Sequence, residues 1–196
     1  MAATRILIAE DNDLVSLTLE EQLKDLGYDV VGIARNGLEA VSLAQKLSPD
    51  LFIMDIRMPE MDGTEAATKI RHQHNIPVIM LTAYADKDTI RRAEQAGALG
   101  YLVKPVNQNE LPPAINIALA RHKELQALHG EVEELRESLE ARKLIERAKG
   151  ILMQRLNLSE RDAYERLRQR ARDKRIRMKE IAQAIIEAEE MLGSDR

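Results

Sequence analysis

The chain has 196 residues, of which 44% are hydrophobic and 32% are charged, a composition typical of a globular protein. It contains no cysteine, which excludes disulfides and thiolate metal sites, and no apolar run reaches the roughly 18 residues that a membrane span needs. The first residues lack the separate basic and apolar regions of a secretory signal, so we expect a cytoplasmic protein with no membrane partner.

Charge is distributed unevenly along the chain. Residues 1–140 hold 14 Lys and Arg against 23 Asp and Glu, whereas residues 141–196 hold 15 against 10. The two parts of the chain thus have net charges of opposite sign, which indicates two domains with different partners. The basic C-terminal part could bind a polyanion. The alternative is that these basic residues only form the solvated surface of helices.

Five short apolar runs in the first part of the chain predict strands. They are Ile6–Ala9, Val30–Ala34, Leu51–Met54, Val78–Leu81 and Tyr101–Val103. These runs lack a clean alternation of apolar and polar residues, which is typical of parallel strands covered on both faces. Because stretches of helical periodicity separate them, we expect a doubly wound α/β sheet.

The helices between the strands should each bury one face. The expected core residues are Leu14, Leu17, Leu19, Leu23 and Leu26 in the first helix, Leu38, Val41, Leu43 and Leu47 in the second, and Ala66, Ala67 and Ile70 in the third. Gly27 should end the first helix, Pro49 follows the second, and Asp62-Gly63 opens the third. A fourth helix is expected at about 86–96, closed by Gly97.

After the last strand, the pattern predicts one long helix. Pro112 or Pro113 fits its first turn, where the missing N–H costs nothing, and no Gly–Pro break follows before Asn157. Its apolar residues alternate in spacing between 3 and 4: Leu125, Leu128, Val132, Leu135 and Leu139. This heptad pattern indicates a coiled coil, and we expect a parallel dimer. The alternative is a helix face that packs within the monomer.

Two further helices follow the long one. Ser159 is the expected N-cap of the first, with Asp162 at the capping-box position. The residues expected to point inward are Ala163, Tyr164, Leu167 and Ala171, then Met178, Ile181, Ala182, Ile185 and Ile186. The segment Lys174–Arg177 offers no obvious N-cap, so the start of the last helix is not defined by the sequence.

Polar residues end four of the predicted strands, at the edge where a doubly wound sheet binds ligands. They are Glu10, Asp11, Asp55, Thr82 and Lys104. Three clustered carboxylates repel one another unless a cation joins them, and such oxygen ligands suit Mg²⁺. The ion would also attract a phosphoryl group, whose other oxygens Thr82 and Lys104 could contact. The chain has no P-loop or GxGxxG, so a carboxylate nucleophile is favoured over a nucleotide site.

Four segments, ILIAEDN, MDIRMPEMDG, VIMLTAYAD and GYLVKP, resemble the response regulator receiver family over about residues 4–120. The resemblance implies a flavodoxin-like sheet of five strands in which Asp55 accepts a phosphoryl group from a histidine kinase. It further implies that Glu10, Asp11, Asp55 and the backbone carbonyl of Arg57 hold Mg²⁺. Glu10 stands where the family more usually has aspartate, which slightly alters its reach. Catalysis would be limited to the protein's own phosphorylation and dephosphorylation, so we do not expect an ordinary enzyme.

The same resemblance implies roles for residues around the phosphoacceptor. Lys104 would contact the phosphoryl group, and the Lys104-Pro105 peptide would be cis. Thr82 and Tyr101 would form a switch pair, although Tyr101 could instead be half-buried core. Arg57 and Tyr84 would tune the lifetime of the phosphorylated state.

The C-terminal part resembles the ANTAR domain of transcription antitermination regulators over about residues 139–190. The segments RKLIERAKGILMQRLNLSERDAYERLRQRARDKR and MKEIAQAII carry the likeness. The family binds RNA hairpins in leader transcripts. The residues that could contact RNA are Lys149, Tyr164, Arg168, Arg170, Arg172 and Arg175. Tyr164, the only aromatic residue there, could stack on a base, but it also shares the inward stripe and could belong to the core.

We therefore expect a receiver domain at 1–120, a helical coiled-coil linker at 113–141 and a three-helix ANTAR domain at 142–196. The predicted protein is a two-component response regulator that is phosphorylated on Asp55 and binds RNA hairpins as a homodimer. Phosphorylation could promote the dimer. The alternatives are a DNA-binding regulator, which would need a recognition helix that the sequence does not indicate, and a helical output that docks another protein.

Overall fold

The computed structural model describes residues 3–83 and 87–193, without the side chains of Thr89 and Leu192. The chain divides into two compact units, Met1–Gln126 and Ala127–Arg196. None of the described helices is both long and apolar enough to cross a membrane.

Five parallel strands form a single sheet in the first unit, in the order β2-β1-β3-β4-β5. The strands are β1 (Arg5–Ala9), β2 (Asp29–Ala34), β3 (Leu51–Asp55), β4 (Val78–Thr82) and β5 (Gly100–Val103). Each predicted apolar run lies within one of them, so the doubly wound α/β fold is confirmed. Because all the strands are parallel, their carboxyl ends share one edge of the sheet.

Helices cover both faces of this sheet. They are α1 (Asp13–Asp25), α2 (Gly37–Leu47), α3 (Gly63–His74), α4 (Lys87–Gln95) and the first turns of α5 (Leu111–Leu156). The α1 and α5 residues pack on the face that carries Ile8, Ile53 and Leu81. The other three helices pack on the face that carries Phe52 and Met80. The predicted burial of Ala66, Ala67 and Ile70 in α3 is confirmed.

The prediction for the buried face of α1 is wrong in part. Leu14 and Leu17 are 75% and 59% exposed, whereas Leu19 and Leu23 are buried. Leu19 and Leu23 are four residues apart and share one helix face with Val15, which packs against the same cluster. Five leucines over this spacing are too widely spread around the helix for one buried stripe. Leu26 after α1 and Leu38 at the start of α2 are exposed as well, so their predicted burial is also wrong.

The long helix is confirmed. A short 3-10 helix, Gln108–Glu110, leads into α5, and Pro112 and Pro113 lie in the first turn of α5. The five predicted heptad residues are 43–65% exposed. None of the five belongs to a described core, and the coiled-coil dimer stays a prediction.

The second unit has its own small core. Asn157 has a left-handed backbone, and Ser159 caps α6 (Glu160–Lys174) by accepting a hydrogen bond from the N–H of Asp162. Helix α7 (Met178–Gly193) follows, which defines the start that the sequence left open. The core combines Ala148 of α5 with two groups of residues, Leu167 and Ala171 of α6, and Ile181, Ala182 and Ile186 of α7. The inward placement of Tyr164 is wrong, because its side chain is 39% exposed and lies outside this core.

Candidate phosphoacceptor site and RNA surface

Three carboxylates meet at the carboxyl edge of the sheet. Glu10 and Asp11 follow β1, and Asp55 is the last residue of β3, the neighbouring strand. One oxygen from each lies within 4.8 Å of the others. Asn12, not Asp11, caps α1, accepting hydrogen bonds from the N–H groups of Leu14 and Val15. The Asp11 carboxylate is therefore exposed and available for a ligand.

Lys104 brings a positive charge into this cluster from the end of β5. Its Nζ donates a hydrogen bond of 2.5 Å to Oδ2 of Asp55 and lies 2.6 Å from Oε2 of Glu10. The second contact is an ion pair without hydrogen-bond geometry, so the buried Oε2 has no hydrogen-bond donor. The Lys104-Pro105 peptide is cis, as the family resemblance implies.

Burial and charge act on Glu10 and Lys104 together. Glu10 is only 1% exposed, and this burial raises the pKa of its carboxyl despite the opposing effect of Lys104. Burial alone would lower the pKa of Lys104, but its contacts with Asp55 and Glu10 outweigh that effect and raise it. The ammonium group thus remains charged and compensates part of the negative cluster.

The residues present fit a hard divalent cation. All three groups supply carboxylate oxygens, the ligands that Mg²⁺ prefers. Three acids against a single lysine leave the cluster negative, which favours a cation over a second anion. The N–H of Arg57 lies 3.3 Å from Oδ1 of Asp55, so the loop after β3 folds back over the carboxylate.

Gly63 supports the loop that carries the phosphoacceptor, a role that sequence reasoning missed. Its N–H donates to the carbonyl of Ile56 at 2.8 Å. A Cβ atom at this position would collide with the backbone carbonyl of Asp55. The Asp62-Gly63 pair was visible in the sequence, but only as a helix start.

The proposed switch residues lie on neighbouring strands. Thr82 ends β4 and is 4% exposed, while Tyr101 on β5 is 48% exposed and outside the described cores. The strand register pairs Met80 with Tyr101 and Thr82 with Val103. Since alternate residues of a strand share one face, Thr82 and Tyr101 emerge on the same face of the sheet. Tyr84 lies outside the described residues.

On α6, most of the predicted RNA contacts share one side. Tyr164, Arg168 and Arg172 are spaced 4 and 4 apart, which puts them on one face of α6. Arg175 is exposed at the C-cap of α6, where the backbone is left-handed. Arg168 is partly engaged by Glu165 at 3.0 Å. Arg170 is exposed on another side of the helix. The structure thus presents one aromatic ring and several guanidinium groups together to the solvent.

Lys149 is placed differently from the other RNA candidates. It is only 7% exposed, and its Nζ lies 2.9 Å from Glu146 and 2.7 Å from Glu160. These two partners raise the pKa of Lys149, and Lys149 in turn lowers the pKa of Glu160. The ammonium group joins the end of α5 to the start of α6, so its charge is already compensated by two carboxylates.

Two family models match the chain. The model of the response regulator receiver domain matches residues 6–116, and that of the ANTAR domain matches residues 133–186. The transcriptional regulatory protein PdtaR of Mycobacterium tuberculosis is 46% identical over 183 residues, or 93% of this chain and 89% of its own length.

Solved structures resemble the first unit. The signal receiver domain of a modulated diguanylate cyclase from Desulfovibrio desulfuricans G20 is 39% identical with a TM-score of 0.59, over 62% of this chain and 98% of that one. A CheX-CheY-BeF3-Mg complex from Borrelia burgdorferi contains a chain that is 25% identical with a TM-score of 0.54, over 57% of this chain and 86% of that one. Both likenesses cover little more than the sheet and its helices.

Proposed function

The chain belongs to the response regulator receiver family and carries an ANTAR domain, and from this we propose that phosphorylation of Asp55 switches its binding to RNA hairpins in leader transcripts. The protein is a regulator, and its only catalysis would act on its own phosphoacceptor. The observation that carries this proposal is the cluster of Glu10, Asp11 and Asp55 against Lys104 at one sheet edge.

The chemistry follows from the charges of this cluster. An Asp55 oxygen attacks the phosphorus of a phosphohistidine on a kinase, the N–P bond breaks, and an acyl phosphate forms. Glu10, Asp11, Asp55 and the Arg57 carbonyl would hold Mg²⁺, which when bound supplies positive charge to the transferring oxygens. The Lys104 ammonium group would contact the oxygens of the transferred phosphoryl group. Attack of water on the phosphorus breaks the O–P bond, releases inorganic phosphate and returns the free carboxylate.

The surface beside the site suits a helical partner such as a histidine kinase. Leu14 and Leu17 of α1 are largely exposed, and an apolar groove of about 440 Å³ lies between α1 and the Lys104–Val106 segment. Exposed leucines beside a polar site commonly mark an interaction surface. A kinase helix that binds here would bring its phosphohistidine to the carboxylate cluster.

We propose that the switch runs from Thr82 to Tyr101. Thr82 is buried next to the cluster, so a phosphoryl group on Asp55 would attract its hydroxyl. Movement of Thr82 leaves space on the sheet face that Tyr101 shares, and an inward turn of Tyr101 would change the surface of β5. This surface change would favour a homodimer through α5, whose apolar heptad residues are exposed.

Dimerisation would control RNA affinity because two linked sites bind two hairpins more strongly than either binds alone. Tyr164 can stack on an unpaired base, while Arg168 and Arg172 on the same face, and Arg175 at the end of α6, can contact phosphates. The exposure of Tyr164 favours this role over a core role.

The proposal is tested by binding of a two-hairpin leader RNA, with and without Mg²⁺ and acetyl phosphate, to the wild type and Asp55→Ala. We expect the phosphodonor to raise affinity on the order of 100-fold for the wild type only. Equal affinity in all four conditions would contradict control by phosphorylation. Matched duplex DNA at the same salt concentration is the control for a DNA-binding output.

A further inference from the structure

The start of α2 touches the loop that follows the phosphoacceptor. Gly37, the first residue of α2, is buried, and its N–H donates to the carbonyl of Met61 at 3.3 Å. A Cβ atom at Gly37 would lie 2.5 Å from that carbonyl oxygen and 2.9 Å from Cβ of Met61. Both distances are too short for a carbon atom, so only glycine lets the two backbones approach this closely.

A side-chain hydrogen bond lies next to this backbone contact. Nδ2 of Asn36 donates to Oε1 of Glu60 at 3.2 Å, while Oδ1 of Asn36 accepts the N–H of Glu39 and caps α2. The amide therefore binds α2 with one end and the loop with the other. We call the pair of contacts, Gly37 with Met61 and Asn36 with Glu60, the α2 loop contacts.

The α2 loop contacts act on the tip of the loop. Glu60 has a φ of 63°, in the left-handed region that residues with a Cβ atom rarely adopt. Such a backbone persists only where the surrounding structure holds it. The base of the loop is closed by the hydrogen bond from Gly63 to Ile56. Arg57 lies between base and tip, so contacts at both ends restrict the backbone that carries it.

We infer that Asn36 and Gly37 are positioning residues for Mg²⁺ binding, because they hold the loop in the form that keeps the Arg57 backbone beside Asp55. Neither residue belongs to the carboxylate cluster. A loop that is already ordered loses less conformational freedom when it binds an ion, so removal of the α2 loop contacts should weaken Mg²⁺ binding. This inference rests on the proposed function, since it assumes the Mg²⁺ site at Asp55.

Reversal of the charge at the hydrogen bond tests the role of Asn36. Asn36→Asp keeps the cap of α2, because aspartate and asparagine cap helices equally well, but it turns a second carboxylate toward Glu60. In calorimetric titration, full-length Asn36→Asp should bind Mg²⁺ about threefold more weakly than the wild type. The added negative charge alone would strengthen Mg²⁺ binding. The sign of the change therefore separates positioning from electrostatics.

The double variant Asn36→Asp/Glu60→Gln is the matched rescue. The glutamine amide can donate to the introduced carboxylate, so the hydrogen bond returns with donor and acceptor exchanged. The net charge of the double variant equals that of the wild type, and we expect its Mg²⁺ affinity to return to the wild-type value. Glu60→Gln alone keeps an acceptor for Asn36 and should bind Mg²⁺ nearly as the wild type does.

Gly37→Ala tests the backbone contact. Its Cβ must displace Met61, so Mg²⁺ binding should weaken by about tenfold. Gly100→Ala is the control, because its Cβ meets its nearest atom only at 3.9 Å. Hydrogen exchange without Mg²⁺ gives a readout independent of the metal. Amides of residues 57–61 should exchange faster in Gly37→Ala and Asn36→Asp, while those of residues 40–47 stay unchanged in Asn36→Asp.

The outcomes separate this inference from the proposed function. Asn36→Asp that binds Mg²⁺ as tightly as the wild type or more tightly overturns the inference, as does a double variant that stays as weak as Asn36→Asp. If Gly37→Ala does not fold, these two variants decide. A wild type that binds Mg²⁺ and is phosphorylated, with variants that match it, leaves the proposed function standing. A wild type that binds no Mg²⁺ overturns both.

Discussion

Nζ of Lys104 lies 2.5 Å from Oδ2 of Asp55, although the two residues belong to strand ends separated by β4. The contact brings an ammonium group against the proposed nucleophile. Lys104 compensates part of the negative charge of Asp55 and Glu10.

Replacing Lys104 should separate metal binding from phosphoryl transfer. Lys104→Met removes a positive charge that competes electrostatically with Mg²⁺, so we expect Mg²⁺ affinity to rise about tenfold, equivalent to roughly 1.4 kcal/mol. Phosphorylation by acetyl phosphate should instead slow by about 100-fold or more, because one stabilising contact to the transferred group is lost. Calorimetric titration with Mg²⁺ and phosphorylation rates measure the two effects. A parallel loss of both would contradict the competing role of Lys104.

The loop after the phosphoacceptor should not tolerate a side chain at Gly63. Gly63→Ala places Cβ against the carbonyl of Asp55 and should cost about 1–3 kcal/mol of unfolding free energy. Gly100→Ala is the matched control, because its Cβ would meet its nearest atom only at 3.9 Å. Denaturant titration compares the two variants. Equal stability would show that the loop relaxes without strain.

Tyr164 is expected to contribute to RNA affinity and little to stability. Loss of a stacked base should cost about 1–3 kcal/mol of binding in Tyr164→Ala, whereas Tyr164→Phe should bind nearly as the wild type. Leu167→Ala, one turn away and fully buried, should lose about 2–5 kcal/mol of unfolding free energy. Hairpin binding and thermal unfolding measured on all three variants distinguish the roles. If Tyr164→Ala loses as much unfolding free energy as Leu167→Ala, Tyr164 belongs to the core.

The ion pair of Lys149 and Glu160 should stabilise the start of α6 in a pH-dependent way. Lys149 lowers the pKa of Glu160, so this stabilisation is present above the usual glutamate pKa of about 4.3 and is lost as pH falls through the lower value in the folded protein. Hydrogen exchange of α6 amides should be faster in Glu160→Gln than in the wild type at pH 7. The difference should shrink in acid. If the difference in exchange rate between Glu160→Gln and the wild type persists in acid, a contact other than the ion pair with Lys149 causes it.

The sequence predicted those features that depend on local pattern. The five strands, the turn of Asn157 and the Ser159 cap each follow from a few neighbouring residues. The buried face of α1 could not be predicted in this way, because five leucines in 13 positions allow more than one face. Only packing on the sheet selects Val15, Leu19 and Leu23.

Prediction of the site from the sequence is limited in the same way. The strand ends predict that Glu10, Asp55 and Lys104 lie at one edge, but the contacts of Lys104 depend on side-chain reach past β4 to Asp55 and past β3 as well to Glu10. From the sequence, Lys149 is predicted to be a surface cation. The sequence cannot show that Glu160, 11 residues later, forms an ion pair with it. Long-range pairing of this kind follows from tertiary packing and not from periodicity.

We propose that Asp55 takes the phosphoryl group in a Mg²⁺-dependent reaction. Intact-protein mass spectrometry after incubation with acetyl phosphate tests it most directly, on the wild type and on Asp55→Asn. We predict that the wild type gains the mass of one phosphoryl group only when Mg²⁺ is present, and that Asp55→Asn gains none. A wild type that gains no mass, or equal modification of Asp55→Asn, would contradict the account.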